Sequence, residues 1–291
     1  MRIIDFDTFI DMPRANVDWL IDGLIPKPGM IELMGPPKIG KSFLSLDIAF
    51  KVSRREPFLN ANTKKSRVLY FQLDTSEMIL RDRGVALRES GYDTSSPNFG
   101  MVHPEDAQRP VDVMLASGRE YFAKALKIHA PDLVVLDTLR ECHQEDENDS
   151  TAMKRVMDTL EGLFAKTALL LLHHTSKFPP EIVQPNPILA SRGSSYITGK
   201  VDAYWLMYGD KFTMTSRWDE TRTLDMKQST NGMFEFSGDI QPKEHDKVAQ
   251  IAELIASPEA QWKSRNELMK MARAKYGINE RSFYRLTRGQ I

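Results

Sequence analysis

Apolar residues along the first two-thirds of the chain follow two alternating patterns. Short, nearly continuous apolar runs predict strands at 30–34, 66–74, 132–137 and 168–174. Between them, apolar residues recur at helical spacing and predict helices at 41–55, 76–90, 117–130 and 150–166. Strands with little polar alternation are typical of a mostly parallel sheet with helices on both faces. The pattern therefore predicts an α/β fold.

The pattern changes after residue 202. Four short strand-like runs follow, AYWLMYG, KFTMTS, RTLDMKQ and MFEFSG, and Asn231 with Gly232 suits a tight hairpin turn between the last two. These runs predict an antiparallel extension of the sheet. The proline-rich stretch 177–193 has no periodicity and predicts a long surface loop.

Residues 237–246 have the composition of a linker, and two domains are predicted, 1–240 and 241–291. Residues 261–291 hold eight Lys or Arg and two Glu, a net charge of +6 in a chain whose total is -1. Ser264 and Glu267 form a capping box, and three helices are expected. This module is similar to a helix-turn-helix or winged-helix domain that would turn three side chains toward DNA, namely Arg281, Arg285 and Arg288. A basic helical docking appendage fits the same pattern.

Composition narrows the class of protein. With 41% apolar and 27% charged residues, the 291-residue chain is typical of soluble globular proteins. The near-neutral total charge argues against nucleic-acid binding over the whole surface. Cys142 is the single cysteine, which excludes an internal disulfide and favours a reducing, cytoplasmic location. No apolar run reaches the roughly 18 residues of a membrane span, so no membrane partner is expected.

The segment GPPKIGKS, residues 35–42, satisfies G-x-x-x-x-G-K-[ST] between a predicted strand and a predicted helix. Glycine allows backbone N–H groups to surround an anion, and the helix that starts near Lys41 adds the positive end of its dipole. Lys41 is expected to reach the β and γ phosphates of a nucleotide, and the Ser42 hydroxyl to ligate Mg²⁺. The expected nucleotide-binding residues are Gly35, Pro36, Pro37, Lys38, Ile39, Gly40, Lys41, Ser42 and Phe43. The two prolines have no N–H to donate and are expected to stiffen the loop.

A magnesium nucleotide also needs a carboxylate at the end of a neighbouring strand. Asp137 follows four apolar residues and is expected to hold the metal through its water shell, the alternative being a helix or turn cap. The acidic stretch 141–150 predicts a solvated loop in which Asp149 or Ser150 caps the next helix.

Four blocks of the chain, in this order, resemble the RecA-like hexameric ATPases, in particular the plasmid RepA-type replicative helicases and related phage and mobile-element proteins. The blocks are VDWLIDGLIPKPGMIELMGPPKIGKS, RVLYFQLDTSEMILRDR, LVVLDTLRECHQEDENDS, and LLLLHHTSKF followed by SRGSSYITGKVDAYWLM. The resemblance covers residues 17–210. It implies a RecA-like fold, ATP hydrolysis with Mg²⁺, a homo-oligomeric and hexameric ring, and action on DNA, with single-stranded DNA as the expected form.

The resemblance assigns the water-polarising role to Asp74, at the end of the strand that follows the phosphate-loop helix. The family has Glu at this position. Because Asp is one methylene shorter, slow hydrolysis is expected. Glu77, three residues further on, is an alternative base, and it equally suits an acidic first helical turn.

Two further roles are implied by the resemblance. His173 or His174 would sense the γ-phosphate at the end of its strand. Nucleotide would lie at the boundary between subunits, where Arg192 or Lys200 of the neighbour would neutralise charge in the transition state. Solvated loop charges are the alternative for both cations.

Three functions remain open at this stage. The first is a DNA-dependent motor of a mobile element, acting in replication or recombination. The second is a non-motor ATPase that regulates a partner protein, which Asp74 favours. The third is a nucleotide-bound DNA-binding scaffold with negligible turnover.

Overall fold

The computed structural model describes residues 3–12, 17–102, 111–178, 185–230, 232–238, 251–261, 263–276, and residues 278, 283, 284 and 287. The chain divides into two compact units, Met1–Gly238 and Asp239–Ile291. Among the described residues, no helix combines the length and the apolar character needed to cross a membrane.

The larger unit contains one nine-stranded sheet and a separate two-stranded sheet. The strands are β1 (Asp18–Ile21), β2 (Ile25–Lys27), β3 (Gly29–Gly35), β4 (Val68–Gln72), β5 (Phe99–Val102), β6 (Leu133–Asp137), β7 (Ala168–His174), β8 (Ala203–Tyr208), β9 (Lys211–Ser216), β10 (Arg222–Gln228) and β11 (Phe234–Ser237). The order in the large sheet is β11-β10-β9-β8-β3-β7-β6-β4-β5, and β1 pairs with β2. From β8 to β5 all pairs are parallel, whereas β8, β9, β10 and β11 pair antiparallel.

Helices cover both faces of the parallel strands. They are α1 (Phe6–Asp11), α2 (Lys41–Arg54), α3 (Glu77–Glu89), α4 (Ala116–His129), α5 (Ser150–Leu163), α6 (Pro187–Ala190), α7 (Ser195–Lys200) and, in the smaller unit, α8 (Arg265–Tyr276). One face packs Leu171 and its neighbours against α4, α5 and α7 in a continuous buried core. On the other face the Tyr70 hydroxyl lies 2.7 Å from Ser45 Oγ of α2. The predicted α/β class, a mostly parallel sheet flanked by helices with an antiparallel extension, is confirmed.

The extension begins one strand later than the sequence predicts. β8 was expected to be antiparallel, but it pairs in parallel with β3, with Ile31 opposite Ala203. Its antiparallel partner is β9 alone. Trp205, Leu206 and Met207 are all buried, so β8 has the apolar character of an internal parallel strand.

The stretch 177–193 is not wholly a loop. Residues 179–184 lie outside the described part, but Pro187–Ala190 form α6. Asn186 caps this helix by accepting from Ile188 N at 3.0 Å, and proline occupies the first turn, where its missing N–H costs nothing. Ala190 is fully buried. The capping residue Asn186 and the proline that follows it therefore specify a short helix despite the loop-like composition.

The smaller unit is helical where it is described. Residues 251–256 are helical, and α8 opens on the predicted capping box, in which Ser264 N donates to Glu267 Oε2 at 2.8 Å. Ile251, Leu254, Leu268 and Phe283 share a buried core. The three arginines expected to face DNA, Arg281, Arg285 and Arg288, lie outside the described residues.

Candidate functional site

The carboxyl ends of the parallel strands bring together residues that are far apart in the chain. Gly35 at the end of β3 lies opposite His174 at the end of β7. Gln72 at the end of β4 lies opposite Asp137 at the end of β6. Polar side chains that follow these strands therefore meet at one edge of the sheet, which is where open α/β sheets bind ligands.

The loop between β3 and α2 is shaped to accept an anion. Lys38 and Gly40 have positive φ angles of 65° and 102°, and α2 starts at Lys41 with Gly40 as its N-cap. No side chain caps this helix end, so its first N–H groups are available to a ligand. A Cβ atom at Gly40 would come within 2.5 Å of the Phe234 ring. Both the backbone angle and the close contact thus require glycine here.

Lys41 is the buried cation of this edge. Its Nζ donates to the carbonyl oxygens of Gly35 at 2.8 Å and Pro36 at 3.0 Å, and it lies 3.4 Å from His174 Nδ1. Burial lowers the pKa of Lys41 to about 8, although the nearby Asp137 and Asp74 carboxylates oppose this shift. The residue is therefore a desolvated ammonium held over the loop, which suits phosphate recognition.

Asp137 is buried beside the same loop. Burial raises its pKa, whereas hydrogen bonds from Ser42 and Tyr70 oppose the rise. The Tyr70 hydroxyl donates to Asp137 Oδ2 at 2.9 Å and lies 2.7 Å from Ser45 Oγ. The hydroxyl of Ser42 and the carboxylate of Asp137 thus face one another, as a pair of oxygen ligands for a hard cation should.

The two candidate bases after β4, Asp74 and Glu77, have different surroundings in the structure. Asp74 is exposed and lies close enough to influence the pKa values of Lys41, Asp137 and His174. Glu77 is the acidic residue of the first turn of α3 and lines a groove between α2 and α3. Of the two, Asp74 belongs to the electrostatic environment of Lys41.

The adjacent histidines face opposite sides of the sheet. His174 contacts Lys41, and burial together with the Lys41 charge lowers its pKa. His173 is fully buried on the other face, where burial lowers its pKa to about 4. Its Nε2 donates to the Arg192 carbonyl at 2.9 Å. Because strand side chains alternate, one histidine is placed at the nucleotide side and its neighbour at a second polar cluster.

This second cluster consists of His173, Glu147 and Arg192. The Arg192 guanidinium donates through Nε to Glu147 Oε2 at 2.8 Å, and Nη2 contacts the same oxygen. Glu147 is buried, and its Oε1 lies 3.9 Å from His173 Nδ1, neither atom having a hydrogen-bond partner. The Arg192 backbone N–H donates to the His174 carbonyl at 3.1 Å. Arg192 is thus tied both to the end of β7 and to a buried carboxylate.

Lys200 lies away from the phosphate loop. It pairs with Asp158 and Glu161 of α5, both at 2.7 Å, and these contacts raise its pKa. It lines a cavity of about 350 Å³ together with Gly29, at the start of β3. Within one subunit Lys200 is therefore at the opposite edge of the sheet from the phosphate loop. In the described part of the chain, no cluster of three or more His, Cys, Asp or Glu could hold a metal ion.

Two comparisons with known proteins gave a match. A family model described as an AAA domain matches residues 2–179. The chain belongs to the AAA domain family. It is also similar to the crystal structure of the KaiC-like protein PH0186 from the hyperthermophilic archaeon Pyrococcus horikoshii OT3. That similarity has 12% sequence identity and a TM-score of 0.48, and covers 76% of this chain and 94% of that chain.

The AAA domain match includes the phosphate loop, Asp74, Asp137 and both histidines. This AAA-domain protein is therefore a phosphate-loop ATPase by family. Its loop backbone, Lys41, Ser42 and Asp137 lie together at the carboxyl ends of the parallel strands.

Three parts of the site were not found by sequence reasoning. Tyr70 resembles any apolar strand residue, yet its hydroxyl holds Asp137. Glu147 is hidden among the acidic residues of 141–150, a stretch that was expected to be solvated, and it is buried. Phe234 packs against Gly40 from a strand nearly two hundred residues away. Elsewhere the interpretation of the acidic stretch holds: Glu141, Asp146 and Asp149 are exposed, and Asp149 caps α5 by accepting from Thr151 N at 2.7 Å.

The pKa of Lys41 predicts how nucleotide affinity depends on pH. The ammonium form attracts phosphate, and it is lost as the pH rises through a pKa of about 8. We expect ATP affinity to fall between about pH 7.5 and about pH 9.5, approaching tenfold per pH unit above the pKa. Titration with a fluorescent ATP analogue measures this. Lys41→Arg keeps its charge throughout and should give a nearly flat profile; equal slopes for the two proteins would contradict the prediction.

Proposed function

We propose that this AAA-domain protein is an ATP-driven motor that acts on DNA in the replication or recombination of a mobile element, working as a homo-oligomeric ring. The observation that carries the proposal is the juxtaposition of Lys41, Asp137, Asp74 and His174 at one edge of the sheet. A structural loop would not need a buried ammonium surrounded by two carboxylates and a histidine.

ATP is the proposed substrate, and Mg²⁺ the proposed metal. The uncapped start of α2 and the Lys41 ammonium would hold the phosphates, and Ser42 with Asp137 would hold the metal. Bound Mg²⁺ would neutralise phosphate charge. Asp74 would orient and polarise the attacking water, and its exposure leaves it accessible to solvent.

His174 is the proposed γ-phosphate sensor, because it contacts Lys41 whereas His173 does not face the loop. Two hydrogen bonds connect the end of β7 to Arg192, so a shift in the position of His174 would also shift Arg192. The His174 carbonyl accepts from Arg192 N, and the adjacent His173 donates to the Arg192 carbonyl. These contacts support Arg192 as the cation that acts on the nucleotide of a neighbouring subunit. The basic segment 261–291 supports DNA as the partner.

A non-motor regulatory ATPase is the second candidate. It is favoured by the ion pair between Arg192 and Glu147, which occupies the guanidinium within its own subunit. It is also favoured by the short Asp74 side chain, which would slow turnover until a partner protein adjusts the site.

ATP turnover with and without single-stranded DNA separates these candidates. For a motor we expect DNA to raise kcat at least about tenfold and a DNA-dependent strand-separation signal to accompany it. Asp74→Glu should raise basal turnover, because the longer side chain reaches further. Light scattering in the presence of ATP measures the molar mass, and therefore the number of subunits in the assembly. Turnover stimulated only by protein would favour the regulator, and tight ATP binding without turnover would overturn both in favour of a scaffold.

A further inference from the structure

Helix α1 has an apolar face that is largely exposed, and no described part of its own chain buries it. Phe6, Phe9 and Ile10 are 74%, 58% and 59% exposed, and Ile3 just before the helix is 83% exposed. None of the α1 residues is buried. Phe6, Phe9 and Ile10 are spaced three and four residues apart and therefore lie on one side of the helix.

The same segment is acidic. Residues 3–12 contain three aspartates and no lysine or arginine. Asp5 is engaged as the helix cap, accepting from Thr8 N at 2.9 Å. Asp7 and Asp11 are exposed and border the apolar side. A surface that receives this helix should thus combine apolar contacts with positive charge.

A groove of this kind lies between α2 and α3, next to the edge strand β5. Its volume is about 780 Å³. Its apolar lining is formed by Leu46, Phe50, Leu80, Val85, Leu87 and Met101. Arg81 and Arg88 are exposed and also line it, and within the described ranges Glu77 is the acidic lining residue. Space is left at Gly84, where an added Cβ would meet nothing within 4 Å.

We propose that α1 of one copy of the chain docks in the α2/α3 groove of a second copy. Amphipathic helices bind apolar grooves through residues at this spacing, and the two arginines complement Asp7 and Asp11. The second copy is the occupant because α1 leaves its apolar face exposed to water on its own chain. Such a contact joins two different surfaces, so it can repeat around a ring. The inference rests on the proposed assembly of several copies.

Disulfide trapping tests this contact directly. Cys142 is fully buried, so engineered cysteines report without background from the native thiol. One batch of the full chain carries Phe9→Cys and a tag that changes its size, and the other carries Gly84→Cys. After mixing and mild oxidation, we expect a mixed disulfide dimer on a non-reducing gel, at least about tenfold above the control.

Gly162→Cys is the matched control. Like Gly84 it is a helical glycine where an added Cβ meets nothing within 4 Å, but it lies on α5. Equal trapping by Gly84→Cys and Gly162→Cys, or none by either, would overturn the proposal. A third chain carries both Phe9→Cys and Gly84→Cys. An intramolecular disulfide within this monomer would also overturn the proposal, because α1 would then dock on its own subunit.

Light scattering provides the second measurement. Phe6→Ser with Phe9→Ser should reduce the assembled mass, while Ile128→Ser, which replaces a side chain that is 72% exposed on α4, should not. All three side chains are exposed, so folding should be preserved. A ring that persists without trapping would refute only the α1 contact. A chain that stays monomeric with ATP and DNA would refute the proposed assembly as well.

Discussion

We expect Lys41→Ala to abolish measurable ATP turnover, with a loss of about 10²-fold or more in kcat. The reason is that Lys41 is the buried ammonium between the loop carbonyls, His174 and the two aspartates. Without it, the developing phosphate charge would lose its principal positive partner in the loop. A coupled assay at saturating ATP measures the effect.

Two further variants separate charge from packing. Lys41→Met keeps the length of the side chain and should lose as much activity as Lys41→Ala, because only the charge differs from the parent. Lys124→Ala removes an exposed lysine of α4 and should behave as the parent. Thermal melts should stay close for all four proteins. Turnover by Lys41→Ala at the parent rate would refute the proposed site.

The second large effect concerns Arg192. We expect Arg192→Ala to lower turnover by about 10³-fold, the lower end of the usual range for a cation supplied by a neighbouring subunit. The variant should still bind ATP, because Arg192 contacts Glu147 and the end of β7 rather than the phosphate loop. Lys200→Ala should have a smaller effect, since Lys200 pairs with α5 at the other edge of the sheet.

Mixing subunits tests whether Arg192 acts across the boundary. Neither the Arg192→Ala protein nor the Lys41→Ala protein should hydrolyse ATP at a measurable rate by itself. In an equal mixture, some boundaries combine an intact Lys41 with an intact Arg192 from the neighbour, and activity should return to about one quarter of the parent value. No recovery on mixing would mean that Arg192 acts within its own subunit, and the trans role would then be wrong.

The core of the site was predictable because its signals are local. The phosphate loop is eight contiguous residues between a strand and a helix, and Asp137 directly follows a buried apolar run. Such positions depend on backbone geometry that neighbouring residues specify. The choice between His173 and His174 was not predictable, because both follow the same four leucines. Only the position of α2 on one face of the sheet shows which of them meets Lys41.

The sequence by itself determined the alternation of strands and helices, the glycine-rich loop before α2, the aspartate that ends β6 and the capping box of α8, since each depends on residues a few positions apart. The tertiary structure alone decided that β8 runs parallel to β3, that Tyr70 holds Asp137, and that Glu147 is buried against Arg192. These contacts join residues separated by tens to hundreds of positions. They depend on the order of strands in the sheet, and periodicity along the chain does not encode that order.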